Sequence, residues 1–172
     1  MYEIGDKVVY PQHGAGVVVD RQLRDLLGTS SEYLTIRILS SDMTVMVPVD
    51  RADDAGLRPV ITSSDVELVL AVLRGEDTQI AGNWNRRFKH NRDKMRTGDV
   101  LELAEVIRNL ARRAGDKGLS SGERQMLGRA KQILASELQY ALDLDEAEAL
   151  VYLDDHLREI ADSRDPAVDG VM

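Results

Sequence analysis

The feature that most constrains the fold is a change of period near residue 62. Before it, apolar residues come in short runs and in alternation; after it, they recur every three or four positions. A period of two puts side chains alternately on the two faces of a strand, and a period of 3.6 builds one apolar stripe along a helix. The switch therefore divides the chain into a β part and an α part. Lys7 to Tyr10 is an apolar run closed by Pro11. Gly14-Ala15-Gly16 is a turn signal, and Val17 to Val19 continues as a strand through Gln22. Leu26 to Ser31 reads as the next turn. Tyr33, Thr35 and Arg37 alternate with Leu34, Ile36 and Ile38, Ser40-Ser41-Asp42 turns the chain, and Met43 to Val49 is a further strand with Pro48 near its end, as suits an edge. Gly56 to Val60 adds a fifth. Short strands joined by polar turns predict a small barrel, which closes its own edges.

The second part reads as helices. Ser64-Asp65-Val66-Glu67 has the spacing of a capping box, Val66, Val69, Leu70 and Leu73 form one face, and Gly75 stops the helix. Residues 76–83 are mostly polar, include Gly82, and read as a linker or loop. A helix follows from about Asn85 to Arg96, and another starts at Asp99 with Val100, Leu103, Val106, Ile107 and Leu110 on one side, ending near Gly115 or Gly118. Ser120-Ser121-Gly122-Glu123 is a second capping box, and Asp143 to Glu146 opens the last helix, whose acidic start suits a helix N-terminus. The expected class is α+β. Its parts are a sheet domain over residues 1–61, an all-helical domain over 62–162, and a disordered tail over 163–172, where periodicity is lost and Pro166 and Gly170 occur.

Charge gives the first functional clue. The net charge of −8 speaks against a polyanionic partner, but it is unevenly spread. Residues 84–131 carry +7, and residues 132–172 carry −9. A polyanion responds to charge within about 8–10 Å, so the local block outweighs the distant one.

Most chemistries find no support. The chain has no cysteine, which removes disulfides, thiolate metal sites and a cysteine nucleophile and fits a reducing compartment. His13, His90 and His156 are far apart, and Asp143, Asp145, Glu146 and Glu148 lack the spacing of a calcium loop, so no metal or cofactor is expected. Gly14-Ala15-Gly16 is not followed by Lys-Ser/Thr and reads as a hairpin turn, not a phosphate loop. There is no Gly-x-Ser-x-Gly and no other polar constellation an enzyme would need. No apolar stretch approaches the roughly 20 residues that span a bilayer, and the N-terminus has no signal-peptide pattern.

The strongest motif is Asn83 to Arg96. Trp84, the only Trp, stands beside Arg86, Arg87, Lys89, Arg92, Lys94 and Arg96, with Phe88, the only Phe, among them. On a helix Arg86, Lys89 and Asp93 share one side, and Phe88, Arg92 and Met95 another. Cations neutralise phosphates and a flat ring stacks or wedges between bases, so this pattern suits nucleic acid. The competing reading makes Phe88 and Met95 core and the cations a solvated face. Trp84, flanked by two Asn at a helix start, is expected to be exposed and favours the functional reading. A second basic group is Arg108, Arg112, Arg113 and Lys117; a third is Arg124, Arg129 and Lys131. If the turn at Gly118 folds back, Arg124 joins the surface around Trp84.

Four stretches also carry a family resemblance: GDKVVYPQHGAGVV (Gly5 to Val18), MTVMVPV (Met43 to Val49), NWNRRFKHN (Asn83 to Asn91) and GLSSGERQMLGRAKQILASEL (Gly118 to Leu138). In the same order, and over about residues 1–160, the chain resembles the CarD family of bacterial transcription regulators. The resemblance implies a Tudor-like N-terminal barrel that contacts the RNA polymerase β subunit and a helical domain on promoter DNA at the upstream edge of the transcription bubble. It implies that Trp84 wedges into the minor groove and that Arg86, Lys89 and Arg124 contact the backbone; Arg87, from the basic stretch itself, completes the candidate DNA-binding set. It implies that Arg24 contacts polymerase. A second such position, which can be basic in relatives, is Met46 here, making that contact more apolar. The expected protein is a cytoplasmic, nucleoid-associated monomer of little sequence specificity that stabilises the open promoter complex. The alternative is an adaptor whose helical domain binds protein.

Overall fold

The computed structural model describes residues 2–76 and 83–164. Strands β1 (Lys7–Tyr10), β2 (Gly14–Leu26), β3 (Thr29–Ile38), β4 (Thr44–Pro48) and β5 (Arg58–Pro59) form one antiparallel sheet in the order β4-β3-β2-β1-β5. Alternation explains its core: Leu34, Ile36 and Ile38 of β3 point inward and meet Val8, Val18, Val47, Ala52 and Leu57. The α+β class stands, but the described sheet does not close by a ladder. β4 and β5 are its edges, joined through a 3-10 turn at Val49–Arg51. β5 is two residues long and ends in Pro59, which has no N–H to donate, so it pairs with β1 alone.

Two turns differ from expectation. The ladder of β2 and β3 runs out to Leu26 and Thr29, leaving only Leu27 and Gly28 as the turn, both with positive φ (53° and 78°). That is the backbone of a two-residue hairpin turn matched to strand twist. Ser30 and Ser31, turn-forming in isolation, are held in strand by Asp25 and Arg24 opposite them. Gly14-Ala15-Gly16 is not a turn either; it opens β2 and is buried. A Cβ on Gly14 would sit 2.7 Å from Ser136 Oγ, and one on Gly16 2.5 Å from the Arg37 carbonyl, so close approach fixes both glycines.

The helices are α1 (Ser63–Arg74), α2 (Trp84–Arg96), α3 (Val100–Asp116), α4 (Ser121–Leu142) and α5 (Glu146–Arg164). Their apolar stripes converge on a second, separate core that includes Leu73, Ile107, Leu110, Leu134, Leu138 and Leu153. The first capping box lies two residues earlier than the sequence suggested: Thr62 is the N-cap, and its N–H donates to Asp65 Oδ2 at 3.1 Å. Thr62-Ser63-Ser64-Asp65 offers the same spacing as Ser64 to Glu67, and the earlier box takes the helix start. The second box is as expected, with Ser120 and Glu123 reciprocally bonded. α5 extends through Ser163 and Arg164, two residues into the segment read as tail. Residues 165–172 of that tail, and 77–82 of the expected linker, lie outside the described residues.

Candidate nucleic-acid interface

Asn83 caps α2, its Oδ1 accepting the Arg86 N–H at 3.2 Å, and this makes Trp84 the first helical residue. Trp84 continues the stripe of Phe88, Asn91 and Met95, one turn above the packed region. It is therefore 50% exposed, whereas Asn91 is 3% exposed. The first turn of α2 contains no acid, though helix N-termini favour one. Arg86 and Arg87 instead add positive charge to the positive end of the helix dipole. Such an arrangement is costly for folding alone and suits an anionic partner.

The inner face of α2 rests on α3 and α4. Phe88 lies against Gly122, where an added Cβ would be 3.4 Å from the ring. Arg87 points the same way, its Nε 3.9 Å from Glu123 Oε2, and Lys94 pairs with Glu105 at 2.5 Å. The fold-back at Gly118, with φ +80°, thus sets the start of α4 beside α2 and brings the exposed Arg124 toward the Trp84 end. Arg86, Lys89, Arg92 and Arg96 face outward. Arg92 also stacks its guanidinium 5.8 Å from the Phe88 ring centre. Among the described residues, Lys89 and Arg124 have no acidic partner.

Four of the other cations have structural partners that the sequence did not reveal. Arg108 donates to the Val72 carbonyl at 3.2 Å and Arg112 to the Leu73 carbonyl at 2.9 Å, so together they cap the C-terminus of α1. Arg129 reaches the Gln12 carbonyl, and Lys131 pairs with Asp154. Trp84, Arg86, Lys89 and Arg124 are exposed, whereas Arg87 is half-buried near Glu123. His13, His90 and His156 stand on different elements, and among the described residues no three His, Asp or Glu side chains are placed to hold a metal. No helix of the described residues is long and apolar enough to cross a membrane.

Arg24 and Met46 lie elsewhere, on the outer face of the sheet. Arg24 is opposite Ser31, and Met46 is opposite Thr35; Ser31 and Thr35 share the face of β3 that points away from the core. Leu26, opposite Thr29, joins the same face. Met46 is 40% exposed on edge strand β4, and Arg24 is exposed near the hairpin tip.

Comparison with known proteins agrees with this two-part construction. Residues 2–61 match the family model of the CarD-like/TRCF RID domain, and residues 68–154 match that of the CarD C-terminal domain. The chain belongs to the CarD family. Within that family of transcription regulators it is 34% identical over 146 residues to the putative transcription factor YdeB of Bacillus subtilis strain 168, covering 85% of this chain and 95% of that protein. The solution structure of the 72-residue N-terminal domain of Myxococcus xanthus CarD is 29% identical, covering 34% of this chain and 79% of that one, with a TM-score of 0.31. In CarD-family terms, the first matched segment contains Arg24 and Met46, and the second contains all of α2 and Arg124.

Proposed function

We propose that this protein docks on the RNA polymerase β subunit through the outer face and β4 edge of its sheet, and on promoter DNA at the upstream fork through the Trp84 end of α2. The observation that carries this reading is a half-exposed Trp at the start of a helix whose first turn has no acid, with Arg86 and Lys89 exposed on the same helix and Arg124 exposed at the start of the neighbouring α4. Arg87, half-buried against Glu123, is assigned to holding α2 in place. Promoter melting is a near-balanced equilibrium, and a bias of about 1.4 kcal/mol shifts it tenfold. A ring at the fork enters where stacking is already lost and obstructs reclosure. Phosphate contacts hold it there without reading sequence. The polymerase contact raises the local concentration of the helical domain at the fork. The protein acts as a cytoplasmic monomer, with polymerase and DNA as its partners, and stabilises the open complex; no catalytic step is involved.

The test is a promoter-opening assay with purified polymerase. Wild type should lengthen open-complex lifetime. Trp84→Ala should lose this effect while still binding polymerase, and Arg24→Glu should lose it by failing to bind. If the helical domain instead bound protein, Trp84→Ala would open promoters as wild type does and DNA affinity would be flat with salt.

A further inference from the structure

The two cores are separate, yet the sheet and the helices are bolted together by one stripe of α4. Arg129, Ile133, Ser136, Glu137 and Tyr140 recur at helical spacing along it. Ser136 Oγ accepts the Ala15 N–H at 2.9 Å, and the Ile133 backbone lies 3.5 Å from where a Gly14 Cβ would be. Arg129 holds the Gln12 carbonyl, and Lys7 stands 5.0 Å over the Tyr140 ring. Glu137, fully buried, is the centre of this interface. Its carboxylate takes two hydrogen bonds from Arg58 of β5, at 2.6 and 2.9 Å, and a third from the Ile61 N–H at 2.8 Å. Arg58 in turn donates to the Gly98 carbonyl in the α2–α3 turn at 2.5 Å. Pro11 is wedged between Gly56 and Gly98, where a Cβ on either would come within 2.9 Å of it. The connection between β5 and α1 is therefore anchored at both its strand end and its middle, and is not a free hinge.

The other end of the same helix carries α2, through Phe88 on Gly122 and Arg87 near Glu123. A helix of 22 residues is about 33 Å long. We infer that α4 is a rigid strut that sets the distance and angle between the sheet's docking face and Trp84, with Glu137 as the positioning residue that locks it. This rests on the function proposed above. A protein held at two sites gains from tethering only if both can be engaged at once, and misplaced geometry removes that gain without weakening either contact alone. Glu137 and Arg58 touch neither partner in this scheme, so their loss should show only in the assembled complex.

The experiment uses the full chain, which has no cysteine, with spin labels on Ser40→Cys and Asp116→Cys to read the distance between the two parts. Wild type should give one narrow distance distribution. Glu137→Ala should broaden or shift it and shorten the open-complex lifetime by about tenfold, while affinity for an isolated polymerase β fragment and for fork DNA each stays within about twofold. Glu137→Gln, whose single amide oxygen can still accept from Arg58 Nη1 and the Ile61 N–H but not from Arg58 Nη2, should recover part of the lifetime. Should Glu137→Ala fail to fold, Arg58→Gln reads the same contact from its partly exposed side. A distance distribution unchanged in Glu137→Ala and Arg58→Gln overturns the strut, as does a broadened distribution with wild-type lifetime. If wild type itself fails to prolong the open complex, the proposed function falls, and the distance distribution still decides whether Glu137 locks the two parts.

Discussion

Arg87 Nε lies 3.9 Å from Glu123 Oε2, while Glu123 Oε1 accepts from both the N–H and the hydroxyl of Ser120. One carboxylate, 2% exposed, thus closes the N-terminus of α4 and faces the first turn of α2. Replacing it removes a cap and leaves a half-buried guanidinium without its counter-charge. Glu123→Ala should cost about 1–3 kcal/mol of stability, and Glu123→Gln, which preserves the cap, about 1 kcal/mol. Urea denaturation decides; an alanine variant with the wild-type midpoint would remove Glu123 from the docking of α2.

Lys89 and Arg112 separate phosphate contact from structure. Lys89 is exposed and has no acidic partner among the described residues, so Lys89→Ala should leave the melting temperature unchanged. It should also lower the salt slope of DNA binding by about 1, one counterion contact fewer. Arg112 caps the Leu73 carbonyl. Arg112→Ala should cost about 1–2 kcal/mol and leave the salt slope alone. Salt titrations of DNA affinity beside thermal melts would expose a swapped pair of outcomes.

The contrast between those residues shows what the sequence could convey. The period change, the helices and the exposure of Trp84 were legible because each depends on neighbours within one or two turns. The roles of Arg108 and Arg112 were not, since the carbonyls they cap lie 36 and 39 residues earlier. Arg129 and Lys131 read as a basic group for the same reason, their partners Gln12 and Asp154 being remote in sequence. Gly14 looked like a turn because its true constraint, Ser136, is 122 residues away. Local chemistry specifies elements; which cations remain for a ligand is settled only by packing.

His13 offers a prediction in pH. Burial holds its pKa below the ordinary value of 6.5, and Arg129 pushes it the same way. Among the described residues its Nδ1 has no hydrogen-bond partner, and its ring lies 5.2 Å from that of Tyr10, tilted by 38°. A base with a lowered folded pKa binds fewer protons folded than unfolded. Its contribution is thus fully present above pH 6.5 and is lost as pH falls through the folded value. Stability should therefore drop from pH 7.5 to 5.5, and His13→Gln should flatten that part of the profile. NMR titration should place the His13 midpoint below 6.5; a midpoint above it would reverse the sign and refute this account.

Gly128 sits in the middle of α4, exposed, with nothing within 4 Å of where a Cβ would be. Glycine inside a helix loses more backbone entropy on folding than alanine and costs about 0.5–1 kcal/mol. Gly122, in the same helix, is a less clean site because its Cβ would meet the Phe88 ring at 3.4 Å, the near limit of ordinary contact. Gly128→Ala should therefore raise the urea midpoint without changing the m-value. It should leave fork-DNA affinity unchanged, since the residue lies between the two ends of α4 and touches neither partner surface. A stiffer α4 should narrow the label-to-label distance distribution or leave it as it is. A Gly128→Ala protein that is less stable, or whose distribution broadens, would show that α4 needs to bend at this glycine, and the strut would have to be redrawn as a hinge.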